Sequence, residues 1–138
     1  MPPPLDFDPV LLTGHAEIDA QHREMFARAG ALIDATREHR SRAEVSSLLE
    51  FLGRYVVEHF GAEEREMEQT GYDRLHEHRA EHQRFVKDFG ALREELEAGG
   101  ATGRFAMRVN ARVTEWLREH IYRSDRRLGE HLRARRGG

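Results

Sequence analysis

The chain has 138 residues, a formal net charge of −3 and no cysteine. Its length fits one domain, and the missing cysteine excludes disulfides, thiolate metal sites and cysteine nucleophiles. The charge argues against nucleic acid as a partner, and no apolar run reaches the roughly 18–20 residues of a membrane span. The N-terminus also lacks the layout of a signal peptide, so we expect a cytoplasmic protein that contacts neither nucleic acid nor membrane.

Periodic apolar stripes predict the first two helices. All four prolines lie before residue 10, and the remaining sequence is rich in good helix formers. The first helix is predicted from about Ile18 to Arg37. Ser41 and Glu44 form a capping-box pattern that begins the second helix, which extends to about Gln69.

Glycines separate the remaining helices. Gly71 is predicted to cap the second helix, and Asp73 to begin the third. The third helix stops at the glycine pair 99–100, and the fourth runs from about Gly103 to Arg123. Each helix then spans about 20–27 residues, or roughly 30–40 Å.

Short connections between such helices make neighbours antiparallel. We therefore predict an all-α fold, an antiparallel up-down-up-down four-helix bundle with a short C-terminal extension. The single domain covers 1–138, with an N-terminal arm at 1–17, the bundle at about 18–125 and a tail at 126–138. The tail has room for a short fifth helix, and its five arginines favour a solvated, partly frayed end over a docking patch.

The histidines occupy unexpected places. Five of the nine, together with one glutamate, fall on the apolar stripes, with at least one from each helix. A single core histidine is most often hydrogen-bonded to a neighbour. Five buried imidazoles around one carboxylate would however cost several kcal/mol each without a partner, and a metal removes that cost by using the ring nitrogens as ligands. These residues are His22, His59, Glu63, His78, His82 and His120.

The spacing of these residues also favours a metal centre. Two pairs are separated by four residues on one helical face, so each pair can point at a common centre. These pairs are His59 with Glu63 and His78 with His82. Asp125 follows His120 by five residues, near the predicted end of its helix, and can reach back towards the same layer.

The ligand count indicates two metal ions. Imidazole and carboxylate without thiolate suit iron, manganese or zinc. Seven protein ligands are too many for one ion, whereas two octahedral ions offer twelve positions. Five imidazoles, two bridging carboxylates and one bridging oxygen leave a single position open. One vacancy suits the end-on binding of a single small ligand.

Four motifs resemble the hemerythrin family, specifically its single-domain bacterial members. They are T-G-H-A-E-I-D-A-Q-H (13–22), H-F-G-A-E-E (59–64), H-R-A-E-H (78–82) and W-L-R-E-H-I-Y-R-S-D (116–125). The resemblance covers about residues 5–125. It implies reversible dioxygen binding at two non-haem iron ions joined by an oxo or hydroxo bridge. By position, it assigns His78, His82 and His120 to one iron, His22 and His59 to the other, and Glu63 and Asp125 to the bridges.

The resemblance also implies a dry pocket for dioxygen, at positions that periodicity alone assigns to core packing. The pocket residues are Met25, Phe60, Trp116, Leu117 and Ile121. Met25 replaces the leucine that is usual in the family. His15 stands where an apolar residue is usual, and we expect it to face solvent in a loop.

Other functions could use the same residues. A di-iron redox enzyme, such as a peroxidase, an oxidase or a nitric oxide scavenger, is the alternative. Enzymes of the ferritin-like type are richer in carboxylates, so the histidine-rich set favours a carrier or sensor that is not an enzyme. A zinc hydrolase needs an open cleft beside its metal, and a metal-free structural bundle leaves the histidines unexplained. We expect a monomer for the storage, delivery or sensing of dioxygen.

Overall fold

Four long helices dominate the computed structural model, which describes residues 8–137. A short 3₁₀ turn at Pro9–Leu11 precedes them. The first three helices are α1 (Ala16–Arg37), α2 (Arg42–Thr70) and α3 (Leu75–Gly99), and α4 occupies 103–137. Connections of three or four residues join successive helices, and α4 packs against both α1 and α3. The predicted all-α antiparallel four-helix bundle is confirmed. No helix within 8–137 combines the length and the apolar character needed to cross a membrane.

The helix ends follow local chemistry. Ser41 Oγ accepts a hydrogen bond from the Glu44 backbone N–H at 3.1 Å, as predicted for the start of α2. Gly71 ends α2 with φ of 66°, a left-handed conformation that glycine adopts without steric cost. The predicted start of α3 is wrong by one residue. Arg74 rather than Asp73 occupies the N-cap, and it makes no side-chain capping hydrogen bond.

The fourth helix differs most from the prediction. It does not end near Arg123 but continues without a break to the end of the described chain. Its segments are α-helical Gly103–Val109, π-helical Asn110–Glu115, α-helical Trp116–His120, π-helical Ile121–Asp125 and α-helical Arg126–Gly137. A π turn closes its hydrogen bonds over five residues instead of four. It therefore brings residues that are five apart onto the same face of the helix.

Two apolar clusters hold the bundle together. The larger one fills most of its length, and the smaller one joins the C-terminal part of α4 to residues of α1 and α2. The smaller cluster consists of Ile18, Met67, Tyr72, Leu128 and Leu132. Leu128 and Leu132 are only 0% and 3% exposed, so the expectation of a frayed tail is wrong. Arg127, Arg133 and Arg135 are nevertheless exposed, as expected. The Arg133 guanidinium also donates to the Thr13 carbonyl, which ties the tail to the segment before α1.

Candidate metal centre

A layer of buried polar side chains crosses the bundle between the two apolar clusters. The structure brings together all seven residues that the sequence analysis selected, and each is 0–4% exposed. They are His22 from α1, His59 and Glu63 from α2, His78 and His82 from α3, and His120 and Asp125 from α4. Because every helix contributes, the layer depends on the whole bundle being folded.

The side chains form two groups that share both carboxylates. Within each group, one ligand atom from every residue lies within 4.8 Å of the others. The larger group contains His78, His82 and His120, and the smaller contains His22 and His59, with Glu63 and Asp125 in both. This division is the same as the one that the family resemblance implied.

The Glu63 carboxylate lies between the two groups. Its Oε2 atom is 2.9 Å from His59 Nε2 and 3.4 Å from His22 Nε2. Its Oε1 atom is 3.2 Å from His82 Nε2 and 3.5 Å from His78 Nε2. Each oxygen therefore faces a different group, which is the arrangement of a bridging carboxylate.

Asp125 repeats this arrangement with its own two oxygens. Its Oδ2 atom is 2.9 Å from His22 Nε2. Its Oδ1 atom is 2.9 Å from His78 Nε2 and 3.2 Å from His120 Nε2. The π turn at Ile121–Asp125 makes this possible, because it places Asp125 on the same helix face as His120, five residues earlier. The spacing predicted that Asp125 reaches this layer, but by way of a helix end and not of a π turn.

The residues present fit a pair of metal ions. The Nε2 atoms of all five histidines and both Glu63 oxygens are buried, and none makes a hydrogen bond of normal geometry within the described chain. Buried polar atoms are almost always satisfied, and leaving them unsatisfied costs free energy. Metal ions would use all of these atoms as ligands. A set of imidazoles and carboxylates without thiolate suits iron, manganese or zinc.

Without metal, the imidazoles and carboxylates of the layer shift one another's pKa values strongly. Burial lowers the pKa of His78, yet the Asp125 and Glu63 carboxylates outweigh burial and raise that pKa to about 10. The same balance raises the pKa of His22 to about 9. Burial conversely raises the pKa of Glu63, but His59 and His22 bring it well below its ordinary value. The carboxylates therefore stay charged at neutral pH, as metal ligands must be.

Three histidines are held from behind by polar side chains that the sequence analysis missed. Each uses its Nδ1 atom for this contact and keeps Nε2 directed at the carboxylates. The contacts are His59 with Gln21 at 2.6 Å, His82 with Glu64 at 2.9 Å and His120 with Glu81 at 2.8 Å. Such contacts fix the tautomer and the orientation of a metal-binding imidazole. The sequence could have indicated these partners, because each of them directly adjoins a candidate ligand within the motifs quoted above.

The expected pocket residues lie in the apolar wall beside the layer. The Phe60 ring stacks on His82 at 3.8 Å, and the Trp116 ring stacks on His120 at 4.6 Å between centroids. The other three belong to the larger apolar cluster with 0% exposure: Met25, Leu117 and Ile121. Trp116 is partly exposed, whereas Phe60 is buried.

His15 does not face solvent, so that expectation is wrong. It is 5% exposed and caps α1, where its Nδ1 atom accepts a hydrogen bond from the Ile18 backbone N–H at 3.3 Å. The neighbouring Asp19 carboxylate accepts hydrogen bonds from Thr13, at 2.9 Å from the backbone and 2.8 Å from the hydroxyl. A capping role explains a polar residue at this position.

Comparisons with known proteins agree with this geometry. The family model described as "Hemerythrin HHE cation binding domain" matches residues 13–132. A bacteriohemerythrin of Methylococcus capsulatus is 36% identical over 121 residues, which cover 84% of this chain and 86% of that protein. A hemerythrin-like protein of Naegleria gruberi is 32% identical over 125 residues, covering 91% of each. A crystal structure of wild-type hemerythrin superimposes with a TM-score of 0.80 at 30% identity, covering 93% of this chain and 97% of that one.

Proposed function

The chain belongs to the hemerythrin family, and we propose that it binds dioxygen reversibly at a centre of two non-haem iron ions. The observation that carries this proposal is the shared position of Glu63 and Asp125. Each presents one oxygen to the two-histidine group and the other to the three-histidine group. When bound, the iron pair with its oxo or hydroxo bridge supplies the reversible electron transfer that dioxygen binding needs.

The two groups give the iron positions different numbers of protein ligands. His78, His82 and His120 would bind one ion, His22 and His59 the other, and both carboxylates would bridge the pair. With a bridging oxygen as well, the first ion would have six ligands and the second would have five. The open position for dioxygen would therefore belong to the ion held by His22 and His59.

We assign the apolar wall the task of excluding water from that position. Phe60 covers one face of the His82 ring, and Trp116 covers one face of the His120 ring. Met25, Leu117 and Ile121 are fully buried and offer no polar side-chain donor. A dry surrounding keeps water and protons from displacing the bound ligand.

Anaerobic reconstitution tests the proposal directly. Metal-free protein would be loaded with ferrous iron without oxygen, the iron per chain counted, and dioxygen then admitted and removed while visible absorption is recorded. We expect two irons and a coloured band that appears and vanishes reversibly. Fewer than two irons per chain would refute the ligand assignment.

The same experiment separates the carrier from its alternatives. Two irons that oxidise irreversibly at first contact with dioxygen would assign the centre to an oxidase, a peroxidase or a nitric oxide scavenger. Steady turnover with an electron donor would identify which. A zinc hydrolase is disfavoured, because a layer that is 0–4% exposed leaves no open cleft for a substrate beside the metal.

We also infer that the protein acts as a monomer in the cytoplasm, in the storage, delivery or sensing of dioxygen. The apolar stripes of all four helices are largely consumed in the chain's own core, which supports a monomer. The sequence without cysteine suits a reducing compartment. Light scattering of the iron-loaded protein and cell fractionation test these two points.

A further inference from the structure

The three-histidine group is backed by negative charge. His82 Nδ1 lies 2.9 Å from Glu64 Oε2, and His120 Nδ1 lies 2.8 Å from Glu81 Oε1. Each ring N–H donates to a carboxylate carried by a neighbouring helix, α2 for His82 and α3 for His120. Two of the three imidazoles in this group therefore have an anionic acceptor behind them.

In the two-histidine group, no charged side chain of the described residues contacts the Nδ1 atom of either ring. His59 Nδ1 lies 2.6 Å from the amide oxygen of Gln21, which is a neutral acceptor. His22 Nδ1 is buried, and no residue within 8–137 offers it a hydrogen-bond partner. The two groups thus differ in the charge of the acceptors at Nδ1 as well as in their number of histidines.

This difference has a chemical consequence. A carboxylate that accepts the Nδ1 proton draws it away from the ring, which makes Nε2 a stronger electron donor to a metal ion. A neutral amide orients the ring with much less of this effect. Resting on the proposed di-iron function, we propose that Glu64 and Glu81 are positioning residues that tighten metal binding at the three-histidine position beyond what its additional imidazole supplies, so that this position fills well before the other.

Of the two carboxylates, we expect Glu81 to have a larger effect on its histidine than Glu64 has. Glu64 also pairs with Arg79, whose Nε lies 3.2 Å from Glu64 Oε1 and neutralises part of its charge. Glu81 accepts instead from the neutral Ser124 hydroxyl at 2.8 Å. The Ser124 hydroxyl, unlike the Arg79 guanidinium, does not offset the negative charge behind the histidine ring.

Stepwise titration with cobalt(II) tests the inference, because cobalt(II) binds imidazole and carboxylate sites and its visible bands report coordination. Metal-free protein would be titrated without oxygen, with each step followed by absorption and calorimetry. The wild type takes up two ions in two resolved steps. In Glu81→Gln, the first step weakens by about 10-fold, the lower end of the range for such contacts, while the second step changes little.

The reciprocal variant separates an electronic effect from simple damage. In Gln21→Glu, the carboxylate lies behind His59, so the second step strengthens and the two steps approach each other. A structural lesion cannot produce this gain, and the result stands even if Glu81→Gln folds poorly. Glu95→Gln is the matched control, since Glu95 also lies on α3 and pairs with Arg108 of α4 at 2.7 Å, away from the layer. It leaves both steps unchanged.

Failure of the inference and failure of the proposed function give different results. Two cobalt ions bound in equal steps by the wild type, or an unchanged first step in folded Glu81→Gln, would overturn the role of the backing carboxylates alone. An unchanged second step in Gln21→Glu would also overturn it. Uptake of fewer than two ions by the wild type would instead reject the dinuclear centre on which the proposed function depends.

Discussion

In the metal-free protein, the Glu63 and Asp125 carboxylates attract the positively charged imidazoles that surround them. Asp125, although buried, keeps a pKa well below its ordinary value, because the attraction of His120 and His22 outweighs both burial and the repulsion of Glu63. The imidazoles respond in the opposite direction, with the pKa of His120 raised to about 9. Protons and metal ions therefore compete for the same Nε2 atoms.

This competition predicts how the stability of the metal-free protein depends on pH. The histidine pKa values rise on folding from 6.5 to about 9 or 10, so their contribution is complete below pH 6.5 and is lost as pH rises through the folded values. The carboxylate pKa values fall below 4.5 and 3.8, so that contribution is lost in acid. We expect the highest Tm between about pH 4.5 and 6.5, measured by circular dichroism in chelator. A Tm that rises from pH 6.5 to 9 would contradict this.

Met25 allows a test of the apolar wall with a single residue. It is fully buried and lies three residues after His22 on α1. Exchange of methionine for leucine conserves volume and costs less than about 1.5 kcal/mol, so the fold is retained. Because leucine is stiffer and cannot be oxidised, Met25→Leu should slow autoxidation of the iron-loaded protein. An unchanged rate, followed by visible absorption in air, would remove Met25 from the pocket.

At the scale of the helices, the π turn at Ile121–Asp125 shows the limit of sequence reasoning. Positions five apart lie about 140° from each other on an α-helix, so His120 and Asp125 could share a centre only if the helix ended or changed its hydrogen bonding. The spacing of five revealed this conflict, and the prediction resolved it by ending the helix. Composition gave no indication of the π turn, because a shift from four to five residues in the hydrogen-bond ladder needs no particular residue type.

The helix stripes and their glycine boundaries were predictable because they depend on local periodicity and on φ, as Gly71 demonstrates. Six of the seven candidate ligands were predictable because polar residues interrupted those stripes, whereas Asp125 was selected from its distance to His120 along the chain. The docking of the tail was missed, although Leu128 and Leu132 stand four apart, because arginines dominate the segment. Which of these charged side chains stay in solvent depends on the neighbouring helices, which local sequence does not reveal.

Truncation of Leu128 tests how much the tail contributes to the free energy of unfolding. The Leu128 side chain is 0% exposed and packs in the smaller apolar cluster with Ile18 and Met67. Leu128→Ala should lower the free energy of unfolding by about 2–5 kcal/mol, measured by denaturant titration of the metal-free protein. Leu12→Ala is the matched control, because Leu12 is 42% exposed and its truncation should cost about 0.5 kcal/mol or less. Equal losses in the two variants would mean that the tail does not pack in solution.

At the scale of the whole molecule, the candidate metal layer lies between two apolar clusters that contain none of the seven candidate ligands. The metal-free chain should therefore keep its helices but be less stable than the metal-loaded chain, because it lacks the binding free energy of ions that bind only the folded state. Ligands that bind only the folded state add about 2.7 kcal/mol when present at 100 times their dissociation constant. Removal of metal should lower Tm while far-ultraviolet circular dichroism stays helical, and metal addition should restore Tm.

A variant without the shared Glu63 carboxylate tests whether the rise in Tm on metal addition comes from the candidate metal layer. Glu63→Gln preserves size but removes the charge that faces four imidazoles, so metal addition should no longer raise its Tm as in the wild type. The matched control is Glu58→Gln, at an exposed position five residues earlier on α2, which should retain the full rise. An equal Tm for the wild type with and without metal would mean that folding and metal binding are uncoupled. An equal rise in Glu63→Gln would place the stabilising metal elsewhere, since each of the two ligand groups contains Glu63.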